Sequence, residues 1–171
     1  MFFYTGDEHY GHGAIIKYCD RPFDSVKEMN KEIIKRHNHL VTQNDIVIHA
    51  GDFCWYNKKE DVQRIIDQLN GDHVFLKGCH DHWLPKSAKY IWKKRIKHHL
   101  VTVCHYAMKT WPSAHYNSWQ LFAHSHGRLT IQGKQHDVGV DNNNFYPVSF
   151  DMIQDIMEQK PDNWNYIHLN N

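Results

Sequence analysis

The stretch LKGCHDHW, residues 76–83, sets Cys79, His80, Asp81 and His82 directly behind a glycine. Thiol, imidazole and carboxylate at that density suit a metal ion or a phosphate group. Similar side chains recur along the chain: Asp7 and His9 in TGDEHYGHG, Asp52 in HAGDF, His105 in VCHY, and His124 and His126 in AHSHG. Any one of these is an ordinary core or surface residue, but together they form a pattern. Carboxylate oxygens mixed with neutral imidazole nitrogens suit Mn, Fe, Zn, Co or Ni better than Ca or Mg. The set is also too large for one tetrahedral zinc. Two ions about 3.5–4 Å apart, sharing a bridging Asp, would use it in full.

Each of these residues follows an apolar run. MFFYTG, DIVIHAG and DHVFLKG read as buried strands that end at a glycine. Between them, FDSVKEMNKEIIKRHNHLV carries a capping box, Ser25 with Glu28, and an apolar face of Met29, Ile33, Ile34 and Leu40. Val62, Ile65, Ile66 and Leu69 then mark a second helix, stopped at Asn70-Gly71. The order strand, helix, strand, helix, strand predicts a parallel sheet covered on both faces. Beyond residue 88, YIWKKRIK, HLVTVCHY, WQLFAHSH and KQHDVGVD predict a second, more antiparallel sheet, and VSFDMIQDIMEQ a closing helix capped by Ser149. Functional groups of an open α/β sheet gather at the carboxyl ends of its strands, which is where these residues fall.

Composition narrows the class. The chain of 171 residues, 41% hydrophobic, fits one globular domain over residues 1–171. Its net charge of +1 gives no general nucleic-acid binding signal. No run is long enough to span a membrane, and MFFYTGDEHYGHG lacks a leader's basic start, so the expected location is the cytoplasm. The four cysteines show no paired spacing and fit a reduced chain.

Taken in order, D-E-H at 7–9, G-D at 51–52, G-C-H-D at 78–81, His105, and H-S-H-G at 124–127 resemble the calcineurin-like metallophosphoesterase superfamily, whose pattern is D-x-H, G-D, G-N-H-D or G-N-H-E, H, and G-H-x-H. DEHYGHGAIIKYCDRPF, HYAMKTW and VGVDNNNFYPVSF look like its small bacterial, archaeal and phage members. The resemblance implies an α/β fold, a four-layer α/β/β/α sandwich of two mixed sheets flanked by helices. It implies two divalent ions, Mn, Fe or Zn, with Ni or Co as alternatives. Asp7, His9 and His126 would hold the first and His105, His124 and Cys79 the second, with Asp52 bridging. The implied reaction is hydrolysis of a phosphodiester, or of a phosphomonoester, by a hydroxide bridging the ions. His80 would act as general acid and Asp81 would orient its imidazole. The partner is a phosphate ester, a nucleotide being one such ester. A fold retained only as a binding scaffold, or a metal-binding or redox-sensing protein using Cys79, is the alternative.

Two positions depart from the pattern: Ala123 replaces a glycine and Cys79 an asparagine. A thiolate would add charge and a longer bond, near 2.3 Å to zinc, and favour Zn or Fe over Mn. Cys79 reads first as such a ligand, then as a packed thiol, and last as an engineered or spontaneous change. His12 reads as a substrate contact or a surface residue. Trp55, Trp83 and Trp111 read as packing residues or as stacking surfaces for a nucleobase. His37, His39, His98, His99 and the Lys93–Arg95 run read as solvated, Cys104 as packed, and Cys54 as near the site without a role.

Overall fold

The computed structural model describes residues 1–167. The N-terminal half contains β1 (Phe2–Thr5), α1 (Gly13–Tyr18), α2 (Val26–Leu40), β2 (Ile46–His49), α3 (Lys59–Ile66) and β3 (Asp72–Phe75). The remainder contains β4 (Ile91–Ile96), β5 (His99–Cys104), β6 (Trp119–Phe122), β7 (Gln135–Asp137), β8 (Val148–Ser149) and α4 (Phe150–Glu158). Two mixed four-stranded sheets result, ordered β3-β2-β1-β8 and β4-β5-β6-β7. In the first, β1, β2 and β3 run parallel and β8 antiparallel.

The second sheet is less antiparallel than its short strands suggest. Only β4 and β5 form an antiparallel pair, whereas β5, β6 and β7 are parallel. A parallel pair needs a crossover of about a dozen residues, and residues 105–118 supply it between β5 and β6. Gln120 anchors that crossover by donating to the Tyr106 carbonyl and accepting from the Met108 N–H. The consequence is functional, because β1, β2, β5 and β6 all deliver their carboxyl ends to the site.

The shared core contains Tyr4, Ile48, Val101, Val103 and Leu121 from the two sheets, with Phe150, Ile153 and Met157 of α4. A second cluster sets α1, α2 and α3 against the loops after β1 and β2, through Ile15, Met29, Ile33, Val62, Ile65, Tyr10 and Phe53. Each large buried side chain contributes roughly 1.5–3 kcal/mol. Ser25 and Ser149 cap α2 and α4 by accepting the N–H of Glu28 and Met152. The reciprocal arm of the α2 box closes one residue upstream, since Glu28 accepts from the Asp24 N–H. Among the described residues no helix is long and apolar enough to cross a membrane.

Two histidines expected in solvent are not there. His37 is 4% exposed and continues the Met29–Ile33 stripe at the next i+4 position, with Nε2 2.9 Å from the Asn70 carbonyl. His99 stacks flat on Trp119 with centroids 3.9 Å apart. His37 also packs beside a buried relay in which Glu8 contacts His49 Nδ1 at 2.5 Å and His49 Nε2 lies 3.0 Å from His73 Nδ1.

Burial holds His37 and His73 down to about 4 and His49 down to about 3. Unfolded histidine titrates near 6.5, so between about pH 4 and 6.5 the unfolded chain binds protons that the folded chain refuses. The contribution of these histidines to stability therefore rises with pH across that window and is complete above it, while Glu8, pushed up to about 8 by burial, works the opposite way. In thermal unfolding in chelator, His37 alone should account for a loss of roughly 2–3 kcal/mol from pH 7 to pH 4. His37→Gln should flatten the profile, and an unchanged slope in that variant would count against the assignment.

Candidate metal centre

The strand ends are shaped by backbone conformation as much as by side-chain type. Asp7, His9, Asp52, His124 and His126 all have positive φ, between 46° and 69°. Asp and His tolerate this left-handed region better than most residues. The loops are tied together by Asp7 N–H to the Gly51 carbonyl and His9 N–H to the Asp52 carbonyl, both 3.0 Å. A side chain at Gly78 would put its Cβ 2.3 Å from Asp52 Oδ1, so that glycine is required by close approach. Ala123, the departure from the family glycine, is accommodated because its methyl faces Gly6, which has none.

Two ligand-type groups form on this edge. Asp7, His9 and His126 each place one donor atom within 4.8 Å of the others, and so do Asp52, Cys79, His105 and His124. Asp52 Oδ2 lies between them, 3.8 Å from His9 Nε2 and 3.4 Å from His105 Nε2. His105 Nδ1 faces the Ala50 carbonyl at 3.1 Å; a carbonyl can only accept, so Nδ1 carries a proton, and Nε2, which faces Asp52, is the atom that would turn to an ion. His9 is held by His12, whose Nδ1 is 3.3 Å from His9 Nδ1. Cys79 is half-buried with Sγ 3.8 Å from His124 Nδ1 and 3.0 Å from the Tyr106 hydroxyl.

The electrostatics fit a cation. Burial, then the charges of Asp52, Asp137 and Asp141, push the Asp7 carboxyl well above the usual range, opposed in part by the His124 N–H. Burial also works against the Asp52 anion, but the facing His105 ring and the His80 backbone N–H hold it below that range. Burial pushes His9 down to about 3, the neutral form in which imidazole coordinates. Asp7 Oδ1 and His9 Nε2 are buried without a hydrogen-bond partner. Orphaned buried polar atoms are costly, and an ion between them would satisfy both.

His80 stands at the mouth, its backbone N–H bonded to Asp52 Oδ1 at 2.8 Å and its Nε2 3.8 Å from Asp52 Oδ2. It lines a cavity of about 820 Å³ with His12, Tyr18, Trp55 and Arg128. Trp55 is 45% exposed and stacks on His12 with centroids 3.9 Å apart. Trp83 packs on Phe53 and Phe75, and Trp111 is buried with its indole bonded to the Ser118 carbonyl. Cys54 and Cys104 are buried.

Asp81 does not orient the His80 imidazole. Its Oδ2 accepts the N–H of Asp52 and Gly78, and its Oδ1 the N–H of Phe53 and the Trp83 indole. Four donors fill its acceptor sites and direct it inward, so it locks the Asp52 loop to the Gly78 loop. Asp137 works alike on the last loop, accepting from Ser125 Oγ, Gly127 N–H and Gly139 N–H. Arg21, Tyr106 and Asp141 escape sequence reasoning because each acts across the fold. A third group, Cys19, His126 and Asp141, also lies within 4.8 Å, but Arg21 already occupies both Asp141 oxygens.

The chain belongs to the calcineurin-like phosphoesterase family, whose pattern it matches over residues 2–169. The family comprises metal-dependent phosphoesterases, and that general activity is the chain's as well. It is 33% identical over 161 residues to an uncharacterized protein of Methanocaldococcus jannaschii, covering 90% of this chain and 89% of that one. Its fold is similar to the crystal structure of a protein of unknown function from Aquifex aeolicus, with a TM-score of 0.70 and 20% identity over 91% of this chain and 98% of the other.

Asp81→Ala would leave three buried backbone N–H donors and the half-buried Trp83 indole without an acceptor, at roughly 1–3 kcal/mol for each buried one before relaxation. Urea unfolding should show a loss of about 3 kcal/mol or more, while His80→Ala stays within about 0.5 kcal/mol. Equal stabilities would refute the assignment of Asp81 to the loop lock.

Proposed function

We propose that the chain is a dinuclear phosphodiesterase. The observation that carries this reading is the placement of Asp52 Oδ2 between two ligand groups, beside buried Asp7 and His9 atoms that lack any other partner. Asp7, His9 and His126 would hold one ion and Cys79, His105 and His124 the other, with Asp52 between them. Bound divalent ions of the Mn, Fe or Zn class supply Lewis acidity and water of lowered pKa.

The chain's own groups do the rest. His80, 36% exposed at its side chain and held by its backbone bond to Asp52, faces the cavity where a leaving oxygen would emerge. It is the donor of the proton that oxygen requires. Trp55, fixed flat against His12, offers an aromatic wall for the leaving group, which favours a diester bearing a planar substituent such as a nucleotide. Arg128 is the cavity lining's guanidinium and would meet a second anionic group.

Hydrolysis of bis-p-nitrophenyl phosphate by protein loaded with Mn, Fe or Zn tests the reading. Turnover should require metal, and His80→Ala should lower kcat about 100-fold or more. No turnover with any ion, despite two bound per chain, would move the assignment to a binding scaffold. In cobalt-substituted protein, Cys79 should give a thiolate-to-cobalt charge-transfer band in the near ultraviolet. Cys79→Asn should abolish that band and shift preference from Zn towards Mn, whereas an unaltered spectrum would mean that the sulfur is not bound.

A further inference from the structure

Arg21 is a cation with no counterpart in the reaction, yet its side chain is wholly buried beneath the first ligand group. Burying a guanidinium is costly unless every donor is met. Here all five N–H bonds have acceptors. Nε and Nη2 grip the two oxygens of Asp141, each at 2.8 Å. Nη2 also donates to the Asp7 carbonyl at 2.7 Å, and Nη1 to the Glu8 carbonyl at 3.0 Å and to Met29 Sδ at 3.4 Å. Lysine has three donors on one atom and cannot reproduce this planar fork.

Both ends of the fork lead to candidate ligands. Asp141 Oδ2 lies 2.7 Å from His126 Nδ1. A carboxylate there fixes the imidazole with its proton on Nδ1 and leaves Nε2 for an ion. The two carbonyls belong to the turn that presents Asp7 and His9, both at positive φ. A turn in that region persists only where its surroundings hold it. One guanidinium thus joins a turn near the start of the chain to a carboxylate that lies 120 residues beyond the arginine.

We propose that Arg21 and Asp141 are positioning residues that together set the affinity of the first metal position, Asp141 by fixing the His126 tautomer and Arg21 by holding Asp141 and the Asp7–His9 turn in one geometry. This rests on the two-ion reading above but not on its substrate. It also assigns the Cys19, His126 and Asp141 group to support of the first position, since the Asp141 oxygens are taken by Arg21.

The test is a chelator titration of zinc-loaded full-length protein, with zinc per chain counted by native mass spectrometry. Wild type should release two ions in separable steps. In Asp141→Ala and Arg21→Ala one ion should bind about 10–100-fold more weakly, with the other unchanged, and Arg21→Lys and Asp141→Asn should fall between. Nitrogen-15 spectra of the metal-free histidines should show the single Nδ1–H tautomer of His126 lost in Asp141→Ala, which a merely structural role would not produce. If Arg21→Ala fails to fold, Arg21→Lys and Asp141→Asn decide the matter.

Wild-type affinity at both positions in those two variants would overturn the proposal, as would equal weakening of both positions. Loss of the ion from Asp141→Asn as complete as from His126→Ala would make Asp141 a ligand and overturn it too. A wild-type chain that takes up no ion overturns this proposal and the functional reading together. Two ions bound without phosphodiester turnover removes the functional reading alone.

Discussion

The structure turns on an unfavourable arrangement, a fully buried carboxyl at Asp7 with three more carboxylates in its field and a free oxygen of its own. Left alone, such a group neutralises or draws in water. The fold surrounds it with other partners: the His124 N–H on one oxygen, Arg21 on its backbone carbonyl, and imidazoles on the open side. Loop closures, glycine contacts and second-layer acids follow from the need to hold negative groups close without letting them separate. A cation completes that arrangement, so the architecture reads as one designed around charge supplied from outside.

Which parts of this were legible beforehand follows from where each signal resides. Asp7, Asp52, Cys79, His105 and His124 each follow an apolar run, and a parallel strand brings its last residues to a common edge, so their gathering could be read locally. Asp81 was found by position but given the wrong partner, because a carboxylate beside a histidine in sequence says nothing about which way its oxygens turn. Four inward donors decide that. Arg21 and Asp141 are paired only once the chain has folded, 120 residues apart. The short helix α1 escaped because six residues with one buried position give no period to detect.

The parallel run of β5, β6 and β7 was hidden for a related reason. Strand-forming residues record burial, while direction is set by the crossover, and residues 105–118 have no helical period to announce one. His37 is different, since its place one turn beyond Ile33 was a readable sign of burial that its polarity masked. Polarity is a poor guide where imidazoles keep one another company, as His37, His49 and His73 do.

The left-handed backbone at Asp7, His9, Asp52, His124 and His126 bears on how this centre can drift during evolution. At an ordinary position a lost ligand leaves an unstrained chain. Here a β-branched or bulky replacement would lose the donor and also oppose the turn, a combined cost of order 1–3 kcal/mol from backbone alone. Glycine and asparagine carry little of that second cost. Lineages that abandon the chemistry while keeping the fold therefore have a narrow exit, through those two residues at the strand ends. Cys79, which is not among the positive-φ residues, lies where an exchange of ligand type meets no such barrier.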